Sequence, residues 1–270
     1  MRASIHFISG LPRSGSTLLA AILRQNPRVH AGMSGPLAGM FGSLLGIMSE
    51  RNEFAVFLDD EKRQRILHGL FDNYYDDYDA EVIFDTSRAW CARMPAIAQL
   101  FPEARVIACV RHLPWVIDSV ERLVQKNMFS PSSIFNYTPG GTVYTRANSI
   151  AAPGGLVGYA FDALKQACFG AQAGRLLLVQ YETLCSEPAK ALQAIYDFIG
   201  EPAFAHDFEH VAYDTDEFDR RAGTPGLHTV RGKVEARPRE TLLPPDIFRR
   251  FASDAFWHDP QRRPAHLHIV

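Results

Sequence analysis

The feature that most constrains the fold is a glycine-bounded turn near the N-terminus, set between an apolar run and a helical pattern. Residues 5–9 form a β-rich run, residues 10–17 read GLPRSGST, and leucine and isoleucine recur at helical spacing over residues 18–23. Glycines let the backbone curl until successive N–H groups point at one anion, and a helix N-terminus adds unpaired donors and a favourable dipole. The segment therefore predicts a strand, an anion-binding turn and a helix. A plain turn with Ser16 or Thr17 as the helix N-cap would show a similar outline.

This turn departs from the triphosphate-binding pattern GxxxxGK[ST] at one position. Ser16 stands where that pattern has lysine, the residue that reaches the β- and γ-phosphates. Its absence argues against a Mg²⁺-dependent small-molecule or nucleotide kinase built on the same fold, which is kept as an alternative. Arg13 supplies a cation earlier in the turn, where a guanidinium can fork onto the oxygens of a shorter 5′-phosphosulfate group.

Strand-like and helix-like segments alternate along the chain. Short apolar, β-rich runs occupy residues 5–9, 82–84, 105–110 and 176–180. Helical spacing occupies residues 17–25, 61–75, 92–101, 115–123, 158–169 and 188–199. Because parallel neighbours need long crossovers, this order predicts a three-layer α/β fold, with a mostly parallel sheet and helices on both faces.

Bulk properties bound the organisation of the chain. The 270 residues contain no linker-like stretch or abrupt change of composition, so we expect one domain over residues 1–270. A formal net charge of −2 gives no global attraction to nucleic acid or anionic membrane, so an anion site has to be local. Residues 126–155 are rich in Ser, Pro, Gly, Asn and Thr without a clear period, which is typical of a mobile lid or of an ordinary surface excursion.

The chain carries no pattern of a secreted or membrane-spanning protein. Its N-terminus lacks the regions of a signal peptide and no apolar run is long enough to span a bilayer, so we expect a cytoplasmic protein without a membrane partner. The cysteines are widely spaced and lie in apolar stretches, which predicts free thiols and no metal site. They are Cys91, Cys109, Cys168 and Cys185.

A second motif follows the predicted strand at residues 105–110. Arg111 stands at the strand tip, Pro114 suits the first turn of a helix, and Ser119 lies about two turns along that helix. An arginine and a serine so placed can close on one phosphate from two sides. Both motifs follow strands of one parallel sheet, so both fall on its carboxyl edge, where open α/β folds bind ligands. Together they predict a nucleotide with phosphates on both sides of its ribose.

These motifs resemble those of the sulfotransferase superfamily. LPRSGSTLL is similar to the 5′-phosphosulfate loop of its tyrosylprotein and bacterial branches, and the strand leading to Arg111 and Ser119 resembles its 3′-phosphate motif. Tyr181 follows a segment that resembles the family's fourth strand, and residues 228–233 resemble its Arg-Lys-Gly region in the order Arg-Gly-Lys. The resemblance implies that the donor-binding residues are Pro12, Arg13, Ser14, Gly15, Ser16, Thr17, Arg111, Ser119, Tyr181, Arg231 and Lys233.

The resemblance also implies an activity. It implies a phosphate-loop (P-loop-like) sulfotransferase fold and 3′-phosphoadenosine-5′-phosphosulfate (PAPS) as the sulfuryl donor. Adenosine 3′,5′-bisphosphate is then the product, and no metal is required. The acceptor is then a hydroxyl or an amine on a tyrosine, a carbohydrate or a small metabolite.

Sulfuryl transfer needs in-line geometry, a cation for the leaving phosphate and a base for the acceptor's proton. We assign Arg13 and Arg88 to the leaving-group side, Arg88 replacing the lysine that relatives carry after the second strand. A structural salt bridge from Arg88 to Asp85 is the alternative. The positions where relatives carry a histidine or glutamate base hold neither residue, which leaves Asp85, slightly favoured, and His30. The missing base also leaves a catalytically silent nucleotide-binding protein as an alternative.

Overall fold

A six-stranded, all-parallel sheet forms the centre of the computed structural model, which describes residues 3–49, 52–129 and 141–270. The strand order is β2-β3-β1-β4-β5-β6. The strands are β1 Ser4–Gly10, β2 Val29–Ala31, β3 Val82–Thr86, β4 Val106–Val110, β5 Leu176–Gln180 and β6 His268–Ile269.

The described helices connect and cover these strands. They are α1 Ser16–Leu23, α2 Leu37–Ile47, α3 Asp60–Tyr74, α4 Met94–Leu100, α5 Leu113–Lys126, α6 Val143–Ala151, α7 Leu156–Phe169, α8 Tyr181–Ser186, α9 Pro188–Ile199, α10 Asp216–Arg221 and α11 Pro245–Ala252.

Side chains of the central strands alternate between two apolar cores. In β1, Phe7 lies in the core closed by α2, α3, α4, α5 and α7, whereas Ile8 lies in the core closed by α1 and α9. In β4, Ala108 and Ile107 divide in the same way. Both faces of the sheet are therefore buried, which explains why the strands read as continuous apolar runs instead of alternating ones.

The predicted three-layer α/β fold with a parallel sheet is confirmed. The strands that the sequence did not predict, β2 and β6, have only three and two residues, too few to show a period. Helix α6 lies inside the segment 126–155 that was predicted to be irregular, while residues 130–140 of that segment lie outside the described residues. The lid and the single-domain organisation stay predictions.

The remaining sequence expectations concern membranes and thiols. No helix in the described ranges is both long and apolar enough to cross a membrane. All four cysteines are buried and unpaired. Burial raises the pKa of Cys91 to about 11 and that of Cys109 to about 12, which keeps both thiols protonated and unreactive at neutral pH.

The turn after β1 begins where that strand touches β4. Gly10 has a φ of 101°, and a Cβ built there would lie 2.2 Å from the carbonyl oxygen of Cys109. The next residue, Leu11, donates its backbone N–H to the same carbonyl at 2.9 Å. Only glycine meets both the left-handed conformation and the close approach. This contact aims the following residues toward the N-terminus of α1.

Replacing Gly10 should therefore destabilise the folded protein. We expect Gly10→Ala to lower the free energy of unfolding by at least about 2 kcal/mol, since it combines a strained φ with backbone overlap. The matched control is Gly46→Ala in α2, where an added Cβ meets nothing within 4 Å. That change should leave stability unchanged or raise it by about 0.5 kcal/mol. Urea denaturation of both variants measures the difference, and equal stabilities would contradict this account of the turn.

Candidate functional site

A cavity of about 640 Å³ lies at the carboxyl edge of the sheet. Its wall comes from the turn after β1, the end of β3, the tip of β4, helices α5 and α8, and the segment 226–239. Glu235 is the one carboxylate among the described lining residues, against nine lysines and arginines. These cations are Arg13, Arg88, Arg111, Arg122, Lys126, Arg231, Lys233, Arg237 and Arg239. The site is built for an anion, although the chain as a whole is nearly neutral.

Backbone amides at the start of α1 form one part of this site. Gly15 is the N-cap with a φ of 94°, and no side chain caps the helix. The first intrahelical bond runs from the Leu19 N–H to the Gly15 carbonyl at 2.8 Å, so the amides of residues 16–18 have no intrahelical acceptor. Gly15, Ser16 and Thr17 line the cavity together with Pro12. Unpaired amides and the helix dipole favour a phosphate or sulfate at this end.

The ring of Tyr181 packs against the turn after β1 at Gly15. A Cβ built on Gly15 would lie 2.9 Å from Cδ2 of Tyr181, so the glycine leaves room for the ring. The guanidinium of Arg111 lies over this ring, with its Cζ 4.1 Å from the ring centroid. Burial raises the pKa of Tyr181, which keeps its hydroxyl protonated. The predicted nucleotide-side residue Tyr181 thus links the turn to the tip of β4.

Arg111 has donors left over after its contacts with the protein. Its Nη1 donates to the carbonyl of Arg13 at 3.3 Å. Its Nε is buried and has no hydrogen-bond partner within the described residues. A buried, unpaired donor on a charged group is costly unless an acceptor reaches it. An anionic oxygen at this point would satisfy it.

The side chain of Arg13 lines the cavity and also bonds within the protein. Its Nε donates to Oγ of Ser119 at 3.1 Å, and its Nη1 donates to the carbonyl of Leu227. Burial and the nearby Arg111 lower the pKa of Arg13 to about 10, so it remains cationic at neutral pH. The leaving-group role of Arg13 stays a prediction. Its guanidinium joins Arg111 and Ser119 in one cluster, and its backbone is left-handed, with a φ of 59°.

Arg88 follows β3 at the same sheet edge and lines the cavity with Thr86 and Ser87. Within residues 3–49, 52–129 and 141–270 it makes no ion pair, so the alternative salt bridge to Asp85 is not formed. Arg88 is exposed as a whole, yet partial desolvation lowers its pKa, and Tyr159 opposes that effect. The structure thus keeps Arg88 available to an anion.

Asp85, the predicted base, does not line the cavity. Its side chain is 1% exposed, Oδ2 accepts from Tyr75 Oη at 2.6 Å, and Oδ1 accepts from Trp90 Nε1 at 2.6 Å. Burial raises the pKa of Asp85, while the two hydrogen bonds act to lower it. The physical reason is strand parity: Asp85 faces the same core as Ile83, under α3. His30 packs on Tyr78 with ring centroids 3.9 Å apart and does not line the cavity.

Some of the remaining predicted residues already have a bonding partner in the protein, and others are left for a ligand. Ser14 is fully buried and its Oγ donates to the Pro12 carbonyl at 3.3 Å, so its side chain does not reach the cavity. Lys233 lines the cavity but pairs with Glu209 at 2.6 Å. Arg231 lines the cavity and makes no ion pair in the described part of the chain.

Sequence reasoning missed a histidine and aspartate pair at the cavity wall. Nδ1 of His228 lies 2.6 Å from Oδ1 of Asp219, and His228 lines the cavity. A signal was present, since His228 opens the segment 228–233 that contains the predicted donor-binding residues Arg231 and Lys233. Asp219 lies in an acidic stretch that gives no sign of which carboxylate is buried. Among the described residues, no group of three or more histidines, cysteines, aspartates or glutamates is placed to hold a metal ion.

Comparison with known proteins identifies the family of the chain. The model of the Sulfotransferase family matches residues 6–206. Because the match covers well over half of the chain, the protein belongs to the sulfotransferase family. No curated protein shows a significant match to the chain.

Several solved structures are similar to this one. The sulfotransferase domain from the curacin biosynthetic pathway has a TM-score of 0.57 at 16% identity, covering 94% of this chain and 97% of that one. A sulfotransferase domain from the Synechococcus PCC 7002 olefin synthase has a TM-score of 0.49 at 19% identity, covering 93% and 94%. A sulfotransferase from Alicyclobacillus acidocaldarius has a TM-score of 0.48 at 16% identity, covering 82% and 89%. The first likeness shows a sulfotransferase fold, and family and fold together support sulfotransferase activity in general.

The variant Asp85→Asn separates a core role from a catalytic one. Asparagine keeps the shape, its Oδ1 can accept from Trp90 Nε1, and its NH₂ can donate to Tyr75 Oη. We therefore expect a loss of at most about 2 kcal/mol in the free energy of unfolding, with sulfuryl transfer unchanged. Urea denaturation and the rate of sulfuryl transfer measure the two effects.

The matched control is Asp77→Asn, an exposed aspartate after α3. It should change neither stability nor rate. A folded Asp85→Asn protein that lost more than roughly a hundredfold in rate would restore Asp85 as the base.

Proposed function

We propose that the protein transfers a sulfuryl group from PAPS to a hydroxyl or amine acceptor, on a tyrosine, a carbohydrate or a small metabolite. One observation carries the proposal: the free amides at the start of α1 and the cluster of Arg13, Arg111 and Ser119 line the same cavity. PAPS is a nucleotide with an anionic group on each side of its ribose, and this wall offers donors to both.

Different donor groups of the cavity suit the two anionic groups of PAPS. The amides of residues 16–18, with Ser16 and Thr17, suit the 5′-phosphosulfate, which is compact and needs several short donors. Arg111 and Ser119, joined by Arg13, suit the 3′-phosphate, because guanidinium forks match phosphate oxygens. Arg231 and Lys233 add positive charge to the same cavity from the segment 226–239.

The same residues discriminate against the competing functions. A kinase would need a lysine in the turn, and Ser16 stands there instead. Arg88 supplies a cation at the end of β3, on the sheet edge where the sulfuryl group would be transferred to the acceptor. A cation there stabilises the negative charge that builds on the departing phosphate, so it serves catalysis as well as binding.

Substitution of Arg111 tests the assignment of the 3′-phosphate. Charge-assisted hydrogen bonds contribute about 1.5–3 kcal/mol, so Arg111→Met should weaken binding of adenosine 3′,5′-bisphosphate by roughly 10- to 150-fold. Binding of adenosine 5′-monophosphate should change by less than roughly threefold, because it lacks the group that Arg111 holds. Isothermal titration calorimetry measures both ligands.

The matched control is Arg65→Met on α3, an exposed arginine paired with Glu61 and outside the cavity. It should bind both nucleotides as the wild-type protein does. Equal affinity of the wild-type protein for the two nucleotides would contradict the proposed 3′-phosphate site. Consumption of ATP with Mg²⁺, with none of PAPS, would replace the proposal by a kinase.

A further inference from the structure

The cavity wall offers few groups that can accept a proton from a substrate. Apart from the lysines and arginines, its described titratable residues are Glu235, Tyr181, Cys185 and His228. The carboxylate of Glu235 forms an ion pair with Arg237. Burial raises the pKa of Tyr181 and that of Cys185, so both hold their protons at neutral pH. By its chemistry, the imidazole of His228 is the remaining base.

The contacts of His228 fix both its orientation and its tautomer. Its Nδ1 lies 2.6 Å from Oδ1 of Asp219, and its backbone N–H donates to Oδ2 of Asp219 at 2.8 Å. A carboxylate accepts hydrogen bonds, so Nδ1 carries the proton and Nε2 of the neutral ring is left with its lone pair. No group in the described ranges hydrogen-bonds to Nε2, and the side chain is 16% exposed on a residue that lines the cavity.

Asp219 is held rigidly enough to position that ring. It lies in α10 and its side chain is 1% exposed. Its carbonyl accepts the N–H of Thr224 at 2.9 Å, which folds the chain back so that His228 meets the carboxylate. The ring of Phe218 packs edge-on against the imidazole, with centroids 5.5 Å apart. The pair is therefore a built arrangement inside the fold.

The neighbouring residue ties this pair to the proposed donor site. The carbonyl of Leu227 accepts a hydrogen bond from Nη1 of Arg13, the arginine of the phosphate-binding turn. His228 is thus one residue away from a contact with that turn. This placement brings a proton acceptor to the wall of the same cavity that the donor would occupy.

Resting on the proposed function, we propose that His228 is the general base of sulfuryl transfer and that Asp219 is its positioning residue. Nε2 of His228 takes the proton of the acceptor O–H or N–H while the acceptor atom bonds to sulfur. The bond from sulfur to the bridging phosphate oxygen breaks, and its electron pair stays on that oxygen. Adenosine 3′,5′-bisphosphate leaves, and the carboxylate of Asp219 stabilises the imidazolium that has formed.

The test uses the full chain with PAPS and a panel of acceptors: substituted phenols, simple sugars, aliphatic amines and water. We expect His228→Gln to lower kcat by roughly 10²- to 10⁴-fold while the Kd for adenosine 3′,5′-bisphosphate changes less than roughly threefold. The loss should shrink as the phenol becomes more acidic, because an acidic acceptor needs less help with its proton. Added imidazole should partly restore the rate of His228→Ala, which a purely structural histidine would not show.

Asp219→Asn provides a separate measurement. An asparagine NH₂ facing Nδ1 would hold the histidine proton on Nε2, the wrong nitrogen. We therefore expect a lower kcat with an unchanged KM for PAPS, and no rescue by imidazole, because the native ring still occupies the site. Thermal denaturation identifies any loss that comes from unfolding.

His210→Gln is the matched control. His210 also pairs with an aspartate, Asp207 at 2.9 Å, but its side chain is 85% exposed and does not line the cavity. This variant should keep the wild-type rate. Wild-type rates in folded His228→Gln would overturn the base assignment and leave the proposed function intact. A wild-type protein that neither binds adenosine 3′,5′-bisphosphate nor consumes PAPS would overturn both.

Discussion

The site depends on the uncapped N-terminus of α1 and on the sharp turn that brings it to the sheet edge. At Gly10 the chain passes within backbone contact of β4, and at Gly15 it enters the helix without a side-chain cap. A side-chain cap would satisfy the first amides and close the site to an anion. The helix therefore lacks the stabilisation that a cap would give, and its first amides can bind an anionic ligand instead.

Electrostatics in this protein are local. The chain has a formal net charge of −2, yet the described cavity lining holds nine cationic side chains and a single carboxylate. Arg111 lies close enough to Arg13 to disfavour the charge of Arg13, and Tyr181 and backbone carbonyls hold the two side chains in place. Like charges gathered in a partly buried wall gain most from an anion with several negative oxygens, because screening by water is weak there. A doubly phosphorylated nucleoside meets that need better than a monophosphate does.

Sequence patterns predicted the parts of this structure that follow from backbone order, and failed where side-chain direction decides. The run before Gly10 and the pair Arg111 and Ser119 lie on the edge that a parallel sheet dictates, so the cavity itself was predictable. The surroundings of Asp85 were not predictable, because a strand end does not reveal which face its last residues occupy. The contacts of the Arg13 side chain were not predictable either, because no pattern announces a positive φ for a non-glycine residue.

The segment 226–239 explains why the positions where relatives carry a base can hold other residues. Under the proposed mechanism the imidazole of His228 comes from the segment that closes the cavity, and the sheet edge does not have to supply it. The ends of β1 and β3 are then free to carry donors only, as Ser16 and Arg88 do. Arg13 donates a hydrogen bond to the carbonyl of Leu227, the residue before His228. This bond connects the cation cluster to the proposed base, while sulfuryl transfer itself requires the acceptor atom, the sulfur and the leaving oxygen in line.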